Sequence, residues 1–534
     1  IEEKGTKGLN ELLSRPILYS VQRGTSSLVS EPLNRVNSNI AAPEIWLKKN
    51  HHIEKKLGGG SGSSNFLITT PEGQCVVKYY KNIEQTHGHG PQLQHQEGIA
   101  AVSESSHLQA LGFDQTALSA WLERHRVDIT CVGVVLSCKS IPTAEAAKNL
   151  HQKTSPDEEY SRINELEQVL KRGDADASYV EMNYVNGMDF SRVIDEANNT
   201  DIPSLAQKFL GFLEDILESA KTMSSSSELS LSNVTEADGI ERLRSEWLEK
   251  MNMRWSDINN VRELQELEFS DIIDSEGFNT LAEMQTYPKY QCKGEWVPNP
   301  HTFVSELIKS YQGYFWEKIA FWECHGDLNL ENVLYDLTHT KLISIDGRYT
   351  KKIVGGLKEL IKAITFGIMF IGGKSLSEKG PDFGVDQTGV HFGATNIGSQ
   401  LIDTENMSKY RLFYDEIMTE LSKEGTWLSN YVNDIADYPE LIMRVCAIIQ
   451  AEADAACVLS QLNAAIKNNE TTKINKLKKR IVGSKIYAIQ LLKEFIDWTK
   501  NPDVTIPSKI KDYINETMDT LNDASQLFDE NYIQ

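Results

Sequence analysis

The chain has 534 residues, 40% hydrophobic and 24% charged, with a formal net charge of −22. That length exceeds one ordinary domain and supports two or three compact units around a sizeable core. The acidic balance argues against wholesale binding to nucleic acid or anionic membrane, and no apolar run approaches the ~18 residues that a membrane span needs. Seven cysteines are thinly spread, with no C-x-x-C pair. That usage points to reduced thiols and a cytoplasmic location.

Residues 1–50 mix charges and lack an apolar core segment, so they do not read as a signal peptide, and the start at Ile1 reads as a trimmed chain. Ile17, Leu18, Val21 and Leu28 form a candidate strap onto a lobe. From Ile53 the pattern sharpens into strands 53–57, 65–68 and 75–80, separated by a glycine-rich turn at 58–64 and a tight turn at Pro71-Glu72-Gly73. Gly58, Gly59, Gly60, Ser61 and Gly62 let backbone amides approach phosphate oxygens, and Lys78 on the third strand is placed to bridge two phosphates. The His-rich stretch 84–95 lacks partners at metal-ligand spacing and reads as a solvent loop. A helix over 96–111, a buried-type strand at 131–136, an exposed helical stretch at 143–172 and a strand from Ala177 precede Gly187.

Nearly 140 residues then separate Gly187 from His325. They hold helical patterns at 203–222 and 239–268, a serine-rich linker around 224–232 and an aromatic stretch from Tyr287 to Pro300. Trp247, Trp255, Tyr287, Tyr290 and Trp296 are candidates to line an acceptor pocket, although packing is the commoner use of such side chains. A helix over 303–322 leads into Cys324-His325-Gly326-Asp327-Leu328-Asn329-Leu330-Glu331-Asn332. Asn332 lies five residues after Asp327, and Asp346 follows fourteen residues later, at the end of the apolar run 342–345. That spacing suits phosphoryl transfer to a hydroxyl: one carboxylate addresses the hydroxyl proton, while an amide and a second carboxylate hold a metal. Residues 372–399 are polar and glycine-rich, a structureless stretch of the kind that serves as a binding flap. The remainder, 406–534, is helix after helix, with an apolar stripe at Ile442, Val445, Ile448 and Ile449. Lys473, Lys476, Lys478, Lys479 and Arg480 form a basic cluster, read as a solvated face ahead of an anion site.

The 324–348 stretch resembles the catalytic and metal-binding loops of the aminoglycoside phosphotransferase and choline kinase families, within the kinase-like phosphotransferase superfamily. The resemblance implies an α+β, two-lobed protein-kinase-like fold. Residues 1–50 would be an N-terminal extension and 51–183 the small antiparallel-sheet lobe. Residues 184–405 would be the catalytic lobe, with a helical insertion at about 200–300, and 406–534 its C-terminal helical part. It further implies ATP and Mg²⁺ as cofactors, Asp327 as base, and Asn332 and Asp346 as metal ligands. Glu104 would pair with Lys78 (Glu97 in reserve), and main-chain groups of Glu181, Met182 and Asn183 would meet the adenine edge. His325 would brace the loop. Asp346-Gly347-Arg348 is not D-F-G and no A-P-E follows, which favours a small-molecule hydroxyl acceptor over a protein one. Where some relatives begin a D-L-A-K-L helix, this chain has Gly356-Leu357-Lys358-Glu359-Leu360, without the aspartate. A protein kinase, a non-catalytic nucleotide-binding scaffold and an AMP transferase on the same fold are the alternatives.

Overall fold

The computed structural model describes residues 21–22, 52–57, 63–70, 73–81, 129–136, 175–226, 235–268, 274–275, 280–292, 295–318, 320–322, 328–345, 353–366, 383–386, 389–392 and 405–531. The chain divides into two compact units: Ile1–Met188, Ser226–Leu229 and Leu334–Lys351 form one, and Asp189–Ser225, Ser230–Val333 and Lys352–Gln534 the other.

The first unit is built on strands β1 (Val21–Gln22), β2 (His52–Leu57), β3 (Ser63–Thr70), β4 (Gly73–Lys81), β5 (Ile129–Leu136) and β6 (Ala175–Asn183). They form one six-stranded antiparallel sheet in the order β1-β5-β6-β4-β3-β2. Two-residue alternation makes β3 a strand, and it buries Phe66 and Ile68 on one face, with Val77 of β4 facing Phe66. The turn from β3 to β4 needs a residue at positive φ, and Gly73 supplies it at +134°. Of the expected strap, Val21 is in place, paired with Val132 of β5.

After β7 (Gly187–Asp189) come α1 (Phe190–Glu196), α2 (Ile202–Ser226) and α3 (Glu236–Leu243). A π-helical turn, Arg244–Leu248, then joins α3 to α4 (Glu249–Asn260), with α5 (Arg262–Gln265) behind it. The single pattern expected over 239–268 is thus interrupted, and Val261 is extended at φ −129° and ψ 105°. Next are β8 (Asp274–Ser275), α6 (Leu281–Thr286), β9 (Lys289–Cys292), β10 (Glu295–Pro298), α7 (Pro300–Tyr311) and β11 (Ala320–Trp322). The helix expected over 303–322 therefore ends at Tyr311. Pro300 at its first turn and the Asn299 cap explain the early start, and a 3₁₀ turn at Gln312–Tyr314 beside Gly313 closes it.

Strands β12 (Val333–Asp336) and β13 (Lys341–Ser344) form a hairpin that joins β7 in a three-stranded sheet, and β14 (Ile353–Gly355) pairs with β11. The remaining elements are α8 (Leu357–Phe366), β15 (Phe383–Asp386), β16 (Gly389–Phe392), α9 (Glu405–Ser422), α10 (Trp427–Ile435), α11 (Pro439–Cys457), α12 (Leu459–Lys467), α13 (Thr471–Lys500) and α14 (Ser508–Asn531). The 372–399 stretch is not structureless: β15 and β16 make a hairpin inside it, in a five-stranded sheet ordered β10-β9-β16-β15-β8. The core of the second unit is α11, which packs against α13, α4, α8 and α7 and buries the whole expected stripe of Ile442, Val445, Ile448 and Ile449. The architecture is of the α+β class expected: a small antiparallel-sheet unit followed in sequence by a larger, mostly helical one.

Candidate functional site

The turn that carries Asn332 is fixed from within. Asn329, 6% exposed, accepts the backbone N–H groups of Glu331 and Asn332 on its Oδ1, each at 3.0 Å, and so caps the 3₁₀ turn Leu330–Asn332. Leu328, Leu330 and Val333 are fully buried around it, and α1 packs against the turn. Apolar anchors on both sides thus hold the main chain, while Asn332 itself is half-buried.

Past this turn the hairpin occupies the spacing between Asn332 and Asp346. Asp336 ends β12: its carboxylate accepts the amides of Thr338 and His339 at 2.8 and 3.2 Å and meets His339 Nδ1 at 2.6 Å. Burial works to raise the Asp336 pKa, but these hydrogen bonds outweigh it and hold the carboxyl below its ordinary value. Leu342, Ile343 and Ser344 are buried along β13 and return the chain to the end where the hairpin began. Gly187 meets a steric requirement, since a Cβ there would lie 2.5 Å from the carbonyl oxygen of Tyr335.

Lys78, 7% exposed, sits on β4 facing Asn65 of β3 and Val180 of β6. β6 is an interior strand: Glu181 faces Val77 and Cys131, and Met182 faces Val76 and Ile129. Asn183 faces Cys75 of β4, one residue past the end of the β5 pairing. Asp327, Asp346, Gly58, Gly59, Gly60, Ser61, Gly62, Glu104, Glu97 and His325 lie outside the described residues, as does the His-rich stretch.

The candidate pocket aromatics are largely core. Trp247, Trp255 and Tyr290 are 6%, 1% and 0% exposed, and Trp296 lies under the Lys289 ammonium, 4.2 Å from the ring centroid. The basic cluster is not a uniform face either: Lys473 and Lys476 are exposed, while Lys478 is buried.

Two buried polar groupings escaped the motif reading. In the first, Lys485 Nζ meets Glu452 Oε1 at 2.7 Å and Asn299 Oδ1 at 3.0 Å, between the rings of Trp255 and Tyr290. Burial pushes the lysine down and the carboxyl up, and each offsets that penalty for the other. Nearby, burial lowers His301 to about 4, helped by Lys485 and Lys309, while its ring bonds Asn252 Oδ1 at 2.8 Å. A signal for the pair existed, because Glu452 continues the stripe three and four residues beyond Ile449 and Ile448, where a carboxylate demands a partner. In the second, Arg242, Glu246, Glu317 and Lys358 line a cavity with Trp247 and Phe315.

Among known protein families none matches the chain, and no curated protein matches it either. Solved structures show distant likenesses. A thermostable mutant of aminoglycoside phosphotransferase APH(4)-Ia, bound to ADP and hygromycin B, is 9% identical at a TM-score of 0.36, covering 83% of this chain and 97% of that one. The Plasmodium vivax ethanolamine kinase is 8% identical at 0.35, covering 82% and 83%. Spectinomycin phosphotransferase APH(9)-Ia, bound to ADP and spectinomycin, is 10% identical at 0.28, covering 84% and 98%. At such values these likenesses lend no weight to any residue's role.

Proposed function

We propose that the protein is an ATP- and Mg²⁺-dependent phosphotransferase that moves the γ-phosphate to a hydroxyl of a small molecule. The observation behind this reading is the folding of the 328–345 stretch, in which a capped turn presents Asn332 and a hairpin fills the interval before Asp346. A side-chain amide on a fixed turn suits Mg²⁺, which takes oxygen ligands in a strict geometry. In this proposal Asn332 and Asp346 hold the ion, which neutralises phosphate charge when bound. Lys78 binds the phosphates from β4, and Glu104 orients its amine. The glycine-rich turn at 58–62 supplies amides to the phosphate oxygens. Because Glu181 and Met182 have sheet neighbours on both sides, adenine is expected to meet main chain from Asn183 onward. Asp327 accepts the hydroxyl proton and directs the oxygen in line; positioning and charge supply most of the acceleration.

The acceptor is assigned to the region where the two expansions meet. Strand β9 belongs to the 200–300 insertion and β16 to the 372–399 stretch, and the two pair in one sheet. The decisive experiment incubates the protein with γ-labelled ATP and Mg²⁺, against metabolite pools and separately against protein extract. Label should pass to a small molecule, and Asp327→Asn should lower turnover by ~10²–10⁴ with nucleotide affinity retained. Transfer confined to proteins would favour a protein kinase. Nucleotide binding without transfer would favour a scaffold, and transfer of label from the α-phosphate an AMP transferase.

A further inference from the structure

The segment Trp316–Lys318, just ahead of β11, is held by three elements. Helix α3 approaches it at Gly239, where a Cβ would lie 2.6 Å from the Trp316 ring and 3.1 Å from the Glu317 carbonyl oxygen. From the same helix Arg242 Nη2 donates to that carbonyl at 3.3 Å. On the other side the Lys318 N–H donates to the Ile435 carbonyl at the end of α10, at 2.6 Å. The Glu317 side chain then reaches forward, and its Oε2 accepts the Leu357 N–H at 3.4 Å, at the first residue of α8. Gly356, the residue just before this helix, has no side chain to cap it. Glu317 brings the carboxylate from forty residues away.

Between these two points lies the ladder of β11 and β14, only three pairs long, from Ala320–Gly355 to Trp322–Ile353. Beyond it in sequence the chain runs out through 323–352, the segment that carries Asp327, Asn332 and Asp346. A three-pair ladder is weak by itself, and the contact from Glu317 to Leu357 fastens its outer end.

We propose that Glu317 is a positioning residue for phosphotransfer: its ionised carboxylate fastens the two ends of the 323–352 segment and so sets the register between base and metal ligands. This rests on the phosphotransferase reading above. The groups facing Glu317 are Arg242 of α3, Glu246 of the π turn, Lys358 of α8 (itself paired with Glu246 at 2.8 Å) and Cys446 of α11. The carboxylate end is enclosed although the residue as a whole is half-buried. Burial raises its pKa to about 7, against the pull of Arg242 and of the Leu357 and Gly356 amides, with Glu246 adding to the rise. Because the folded value stands above the ordinary one, the protein loses stability from this group as pH rises toward and through about 7. The ionised carboxylate therefore burdens the fold, while its charge strengthens the bonds to the two amides.

The test is Glu317→Gln, with Glu317→Ala beside it. At pH 8 the Gln variant should melt higher than wild type, and at pH 5 the two should converge. At pH 8 its turnover should fall about tenfold with the KM for ATP unchanged, the signature of misplacement rather than lost binding. Amides of 320–322 and 353–358 should exchange faster in both variants, after correction for intrinsic exchange rates. Unchanged turnover with unchanged exchange at those amides, or a Gln variant less stable at pH 8, overturns the proposal. If wild type transfers phosphate to nothing, the phosphotransferase reading has failed. The melting and exchange measurements, which need no acceptor, then decide by themselves whether Glu317 fastens the ladder.

Discussion

Removing the cap on the Asn332 turn should damage chemistry more than folding. Asn329→Ala deletes the oxygen that accepts two amides at 3.0 Å in a site only 6% exposed. Loss of such a cap costs about 1–2 kcal/mol. The apolar neighbours Leu328, Leu330 and Val333 remain buried, so the loss falls on the conformation of the turn rather than on the unit as a whole. If Asn332 holds Mg²⁺ only when the turn is formed, ~1–2 kcal/mol lowers the competent population by about 5- to 30-fold, at a factor of ten per ~1.4 kcal/mol. The assay is turnover with γ-labelled ATP across a Mg²⁺ titration, alongside thermal unfolding. The variant should need more Mg²⁺ and turn over ~5- to 30-fold more slowly, with a small change in melting. Asn329→Asp, which keeps an oxygen in place, should recover most of the loss. An alanine variant with wild-type turnover and Mg²⁺ dependence would refute the claim that this cap positions Asn332.

Asp346→Ala should abolish the Mg²⁺-dependent part of the stabilisation by ATP, read as a thermal shift with and without the metal; an unaltered Mg²⁺ response removes Asp346 from the metal site. Lys485→Met breaks the 2.7 Å pair with Glu452, which is 0% exposed, and should cost about 3–5 kcal/mol in denaturant unfolding. The double substitution Lys485→Met with Glu452→Leu should restore most of that loss, and a double variant as unstable as the single one would show that Glu452 is not the partner that matters.

What could be read from the sequence followed the range of the interactions. The 3₁₀ turn at 330–332, its Asn329 cap and the Asp336 turn are local, closed within three residues, so what forms them lies inside the motif itself. The β3–β4 hairpin was equally visible, because alternation and Gly73 act at short range. That β6 lies inside the sheet was not visible, since β5 and β4 flank it from distant parts of the chain. The hairpin at 383–392 looked structureless for the same reason: β16 finds its partner at Gln291, a hundred residues earlier. Glu317 gave no local sign at all. Its carboxylate serves an amide forty residues on, and neither sequence neighbourhood encodes the other.

Glu317 and His301, two of the groups whose pKa values burial displaces, make a pH prediction that neither makes alone. Glu317 is pushed from 4.5 up to about 7, so as pH falls from 7 toward 4.5 the folded state takes up the proton first and gains stability. His301 is pushed from 6.5 down to about 4, so over nearly the same interval the unfolded state takes up the proton first and stability is lost. At ~1.4 kcal/mol per pH unit each effect approaches about 3 kcal/mol, with opposite sign. Both groups belong to the helical unit, so wild type should show little pH dependence from this pair between 7 and 4.5. Glu317→Gln exposes the histidine, and that variant should weaken steadily as the solution is acidified. His301→Gln exposes the glutamate, and that variant should strengthen over the same range. The double variant should be flat again. Other carboxylates add a background common to all four proteins, which cancels when unfolding free energies are compared between variants at each pH. Parallel curves for the two single variants would mean that burial displaces neither group as argued, and would remove the stability gain expected of Glu317→Gln at pH 8.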